Sequence, residues 1–209
     1  MNIRHRGIVA AVALALPLGL AACGSSNTTA GSSASSASQA PQTSAASTDA
    51  SAAVFGSGCS AVPTTGKGSF NGMATDPVAT AASNNPLLTT LVTAVGAAGL
   101  GDTLNTTPDI TVFAPVDSAF AKLPAADLSA ALADPKGLLT KILTNHVVAG
   151  KISPDKLAGD HKTLEGGTLK ITGSGESFKV NGNSNIICGN VPTANATVYI
   201  VDTVLLPTS

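Results

Sequence analysis

Beyond the N-terminal segment the 209-residue chain has two histidines, His146 and His161, and with Cys23, Cys59 and Cys188 these are the side chains best able to do chemistry near neutral pH. A Ser-His-Asp triad needs a nucleophile presented on a sharp turn, and no G-x-S-x-G sequence supplies one. The chain has no C-x-x-C, no H-E-x-x-H and no Cys/His set at metal-ligand spacing. The stretch 173–177, Gly-Ser-Gly-Glu-Ser, is rich in glycine but lacks the Lys-Ser/Thr ending of a phosphate loop, so it reads as a hairpin turn. His146 closes an apolar helical face. It is either a base or ligand, or a buried histidine hydrogen-bonded for structure, and with no partner at motif spacing the structural reading is the stronger. His161, in a Gly-Asp-His-Lys turn, is expected at the surface. Phe113, Phe120 and Phe178 could line an apolar ligand groove, but so few aromatics are more readily used in the core. Asn105-Thr106-Thr107 and Asn195-Ala196-Thr197 fit the N-glycan pattern. No catalytic, cofactor or metal site is expected.

The N-terminus carries an address. Residues 1–6 are basic, residues 8–20 are an apolar run, and Leu20-Ala21-Ala22-Cys23 follows. This is the layout of an export signal, and the run is shorter than the ~20 residues that span a bilayer. Leu-Ala-Ala-Cys fits the bacterial lipobox at every position, which makes residues 1–22 a lipoprotein signal peptide and Cys23 the lipidated first residue. More than one acyl chain suffices for stable attachment to the outer face of a cell membrane, with shedding to the extracellular space as a second fate. Residues 23–57 then form a tether of Ser, Ala, Thr and Gln, too poor in apolar area to offset its ordering entropy. Cys59 and Cys188 are an even pair in an exported chain. They read as one disulfide, against the alternative of two unrelated buried thiols.

Composition narrows the partners. Charged residues are 11% of the chain and aromatics 3%. Beyond Arg6 nine lysines stand against twelve acids with no arginine. Such a chain lacks the basic footprint of nucleic-acid binders.

Helices, strands and a hairpin turn must position these residues. Asp76-Pro77 and Asn85-Pro86 look like helix caps followed by proline, and Leu87, Leu88, Leu91, Val92 and Val95 place a helix over 86–98. Residues 110–114 form a strand that Pro115 ends, and Asp117 caps a short helix over 118–123. Asp134-Pro135 opens another helix, with Leu138, Leu139, Ile142, Leu143 and His146 on one face. From about Lys162 the pattern turns to strands, at 168–172, 177–180, 186–188, 196–201 and 204–206. Asn181-Gly182 is the strongest hairpin signal. Helices first and strands later indicate an α+β fold.

Three stretches carry a family resemblance. Thr111-Val112-Phe113-Ala114-Pro115-Val116-Asp117-Ser118-Ala119-Phe120 resembles the first signature of the fasciclin domain. Ile142 through Gly150, with Asn145-His146 where the family often has Tyr-His, resembles the central one, and Asn195 through Pro207 the last. The stretch 73–86 and the Cys59/Cys188 pair are similar to the single-domain, secreted or lipid-anchored antigens of mycobacteria. The resemblance implies a fasciclin domain over 75–207, preceded by an extension over 58–74 that carries Cys59. It implies a β-wedge or sandwich with helices packed along one side, and a non-catalytic adhesion module that binds a protein or matrix partner. It also gives His146 a packing role near the first signature, with Asp117 or neighbouring backbone as its partner. Integrin-binding animal members carry an Asp-Ile pair where this chain has Asn190-Val191, so integrin is not an expected partner. Without arginine or many aromatics, contacts fall to Asn145, small hydroxyls and a few lysines, and affinity should be modest. A binder of a small apolar ligand or glycan is the alternative. Replacing Cys23 by Ala should abolish lipid modification; intact-mass and detergent-partitioning measurements check this, and unchanged partitioning would refute the lipobox reading.

Overall fold

The computed structural model describes residues 53–207. The signal segment, Cys23 and the tether as far as residue 52 lie outside the described residues. Seven strands form one sheet, in the order β2-β1-β7-β6-β5-β4-β3. Its most buried pair is β1 (Ile110–Pro115) and β7 (Ala196–Val201), both rich in β-branched residues. They pair in parallel from Ile110–Ala196 to Pro115–Val201, while all other neighbours are antiparallel. A parallel pair is normally covered on both faces, and these two strands are buried almost throughout. The strand alternation then divides the core in two. Ile110, Val112, Ala114, Ala196, Val198 and Ile200 face the helices. Phe113, Tyr199 and Val201 face the other way, with Leu169, Ile171, Phe178 and Val180 from the later strands.

The remaining strands wrap this second core. β2 (Val147–Ala149) lines the outer side of β1. β3 (Gly159–Lys162), β4 (Thr168–Ser174), β5 (Ser177–Val180) and β6 (Ser184–Pro192) run out from β7. A bridge between Val148 and Thr163, with Leu164 N–H donating to the Val147 carbonyl at 2.8 Å, brings the two ends together, so the sheet curls towards a barrel. Asn181 and Gly182 both have positive φ, 50° and 75°, which meets the hairpin expectation. The expected strand at 204–206 is absent. β7 already has neighbours on both edges, so the chain beyond Val201 forms no further strand, and both backbone groups of Leu205 are met by side chains instead.

Seven helices cover the first core: α1 (Phe70–Ala74), α2 (Val78–Ser83), α3 (Thr89–Ala98), α4 (Gly101–Thr106), α5 (Asp117–Ala121), α6 (Ala125–Ala133) and α7 (Leu138–Asn145). Their starts differ from the local expectation because caps come from far along the chain. Asn85 folds its side chain over the Leu87 N–H, making a turn of 85–88, and α3 begins only at Thr89. The Thr90 N–H is met at 2.7 Å by the carboxylate of Asp117, which lies inside α5 rather than ahead of it. The Val78 N–H of α2 is met at 2.9 Å by Asn195. Asp134 does act locally, accepting from Gly137 and Leu138 at the start of α7. On α7 Leu139, Ile142, Leu143 and His146 are buried, but Leu138 remains 38% exposed.

The stretch ahead of residue 75 belongs to the same packing, since Val62 and Met73 are both buried in the first core. The chain is pinned from Ala53 onwards, earlier than the tether end expected at 57. Phe55 bridges to Gly189 and sets its ring against Phe178 and Tyr199. Gly189 leaves room for this ring, because a Cβ there would run into it and force Phe55 to shift. Beside this contact Cys59 is bonded to Cys188 of β6, across 129 residues of sequence. Chain-entropy arguments give such a loop ~4–5 kcal/mol. Thiol labelling of the native protein should therefore find neither cysteine reactive, and reduction should lower the urea midpoint; two reactive native thiols would refute the pairing.

Candidate functional site

The three signature stretches meet at His146. It follows α7 directly, so its side chain is aimed inward by the same apolar face that docks the helix. Its carbonyl accepts from the Phe113 N–H at 2.8 Å, which joins the central stretch to the first. Its ring Nε2 accepts from the Leu205 N–H at 2.9 Å, which joins it to the last. With Nε2 an acceptor, the proton sits on Nδ1 and is donated to the Ile142 carbonyl at 2.7 Å. Burial pushes the pKa down to about 4, against the raising effect of the Ile142 carbonyl. An added proton on Nε2 would also face the Leu205 N–H head-on. The ring is therefore neutral and fully used, with no lone pair left for a substrate or metal.

Asn145 completes the grip. Its side-chain N–H donates to the Leu205 carbonyl at 3.1 Å, and its Oδ1 receives the Thr163 hydroxyl at 3.4 Å. Adjacent side chains thus hold both backbone groups of Leu205 and stand in for the missing strand. At 3% exposure Asn145 is not the surface contact residue that its polarity suggested. Asp117 is not the partner of His146 either. It receives the Thr90 N–H and, at 2.6 Å, the Thr89 hydroxyl. Burial alone would raise its pKa, but those hydrogen bonds outweigh burial and lower it.

The Asn190-Val191 pair is likewise structural. Val191 is buried in the first core, and Asn190, at φ 59°, donates to the Ala53 carbonyl at 2.9 Å. His161 is half-buried and donates through Nε2 to the Leu157 carbonyl at 2.8 Å, contrary to the expected exposed turn. Phe113, Phe120 and Phe178 are all core residues.

Sequence reasoning missed two features. Asn195, read as part of a glycan pattern and as the start of the last signature but given no structural role, donates to the Leu104 and Thr107 carbonyls at 2.7 Å each and caps α2, clipping α2 and α4 to the sheet. Its place one residue ahead of β7 was the available signal. The second is a cavity of about 250 Å³ between α2, α3, α4 and the sheet, with Leu143 and His146 among its lining residues.

A curled seven-stranded sheet with helices on one face, locked where the three signature stretches converge, defines a fasciclin-type domain. The family profile described as "Fasciclin domain" matches residues 86–207, and the chain belongs to that family. It is 50% identical over 176 residues to the cell surface glycolipoprotein MPB83 of Mycobacterium bovis, covering 80% of this chain and 79% of that protein. It is 49% identical over 162 residues to the immunogenic protein MPT70 of Mycobacterium tuberculosis, covering 74% and 82%. Among solved structures it resembles the FAS1 domain pair of the insect cell adhesion molecule fasciclin I, at a TM-score of 0.53 and 16% identity. That match covers 63% of this chain and 51% of the pair, so the chain spans about half its length.

The unfolded chain protonates His146 near pH 6.5 and the folded chain only near 4, so stability present above pH 6.5 is lost as pH falls towards 4. Between pH 7 and pH 5 the loss from this group should be about 2 kcal/mol by urea unfolding. His146→Gln should remove that portion of the pH dependence, and His146→Ala should cost ~1–3 kcal/mol at pH 7 by orphaning the Leu205 N–H. Unchanged stability in His146→Ala would refute the structural role.

Proposed function

We propose that this chain is a lipid-anchored interaction module on the outer face of a bacterial cell envelope, adhering to a protein or matrix partner without catalysing a reaction. The carrying observation is the commitment of its most reactive groups. His146 has both ring nitrogens on backbone groups, and Asp117 is spent on capping α3. What remains for function is surface. Leu164 and Leu206 are 47% and 42% exposed, and each directly follows a residue tied to Asn145. Two large apolar side chains on so rigid a base suit a contact patch better than a solvated face. The names of the relatives, a cell surface glycolipoprotein and an immunogenic protein, support an envelope or extracellular location, and Leu20-Ala21-Ala22-Cys23 supports the anchor.

A patch without arginine or tryptophan lacks the usual hot-spot residues, so one copy binds weakly. Many copies tethered on one membrane raise the effective concentration and convert weak contacts into adhesion. Against an immobilised extracellular-matrix preparation, the Cys23→Ser chain in solution should bind at about micromolar affinity or weaker. The lipidated chain on vesicles should bind at least a hundredfold more strongly, and Leu164→Ser with Leu206→Ser should abolish the gain. Nanomolar binding by the soluble monomer, or a gain that survives the double substitution, would overturn the proposal.

A further inference from the structure

The cavity between helices and sheet follows from composition. The helix-side core is built mostly of Ala, Val, Leu and Ile with Phe120 as its one buried ring, whereas Phe113, Phe178 and Tyr199 all lie in the other core. At the start of α3 and along it, Leu88, Leu91, Val92, Val95 and Gly96 fall on one face and form a wall of the cavity. Opposite stand small or β-branched residues, among them Ala82 on α2, Val112 and Ala114 on β1, and Val198 on β7. Side chains of this size leave about 250 Å³ unfilled.

The buried polar residues on the wall are already paired. Asn85 accepts from Leu87 and donates to the Met73 sulfur at 3.6 Å, Thr193 donates to the Ala196 carbonyl, and the His146 ring is occupied on both sides. The interior is therefore chemically aliphatic and would strip a sugar of water without replacing its hydrogen bonds. Near the outside the character changes. Thr80, Ser83 and Asp102 are exposed lining residues, and Asp102 is the only acidic one. No lysine or arginine lines the cavity to receive an anionic head.

We infer that this cavity binds the chain of a free single-chain amphiphile whose polar head, uncharged or cationic, stays in water beside Asp102. A methylene occupies roughly the share of volume of one water, about 30 Å³, so the space takes about eight of them. Lipids with two long chains need several times that, which selects a single-chain molecule over a membrane lipid. The site is separate from the Leu164/Leu206 patch and does not depend on it.

The test uses the Cys23→Ser chain, with 1-decanol and decanoate as probes and dioleoylphosphatidylcholine vesicles as a further arm. Decanol should bind saturably at one per chain and shift methyl resonances of Val92, Val95 and Leu104. Decanoate should bind at least threefold more weakly at low salt, and Asp102→Asn should close that gap. A Cβ on Gly96 would meet no heavy atom within 4 Å, so Gly96→Leu can fill the opening while improving helix propensity. This variant should keep its melting temperature yet bind decanol at least tenfold more weakly. Four results would each overturn the inference: no saturable decanol binding, methyl shifts outside the cavity, undiminished binding in Gly96→Leu, or preference for the vesicles. Equal binding of decanoate and decanol would overturn the assignment of the head.

Discussion

The apolar end of the chain beyond β7 depends on two adjacent side chains. Leu205 is buried, yet β7 has both edges already paired and the Leu205 backbone joins no strand, and an unpaired buried N–H or C=O costs about as much as a lost hydrogen bond. Asn145 and His146 supply the missing partners from the end of α7. Because the His146 carbonyl also receives the Phe113 N–H, the same residue sets α7 against β1. The first, central and last signature stretches are therefore one structural device. Its tautomer is dictated from both sides, which is why a histidine that looks chemical in sequence is chemically silent in the fold.

Around this lock, the parallel β1–β7 pair partitions the hydrophobic residues. On these two strands alternation sends Phe113 and Tyr199 into the curled sheet and aliphatic side chains towards the helices, where Phe120 is the one buried ring and room is left unfilled. The ring-filled side also takes in Phe55, and the disulfide next to it anchors the leading segment. Tyr199 fits there because its hydroxyl donates to the Ile152 carbonyl at 2.7 Å. Burial, with Asp155 adding to it, raises the Tyr199 pKa, so the ring remains a neutral donor.

Charge plays a small part in holding these layers together. Among the described residues the ion pairs are Lys122–Asp202 and Lys151–Asp109, both at 3.6 Å and partly in solvent, where such pairs contribute little. Asparagine does the joining instead. Asn195 ties α2 and α4 to the sheet, Asn145 holds Leu205, Asn190 holds Ala53 and Asn105 caps α2. A neutral amide both donates and accepts without the desolvation cost of an ion, which suits a chain this poor in charge.

The sequence by itself determined the class of fold, the strand cores, the hairpin at Asn181-Gly182 and the family, because these rest on periodicity, turn chemistry and contiguous motifs. It also singled out His146 and the Cys59/Cys188 pair. It could not place α6, whose alanine-rich run carries good helix propensity but weak apolar spacing. Nor could it place the true starts of α2 and α3, since their caps, Asn195 and Asp117, come from remote positions. Polarity suggested Asn145 as a surface contact, and only the tertiary structure showed it, like Asn190, turned onto a backbone group. The strand expected at 204–206 failed for the same reason: local pattern marks a segment as extended and apolar, but its hydrogen-bond partners are decided by what already occupies the neighbouring edge. The cavity, too, belongs to tertiary structure alone, because a void is the difference between the side chains supplied and the space the packed layers enclose.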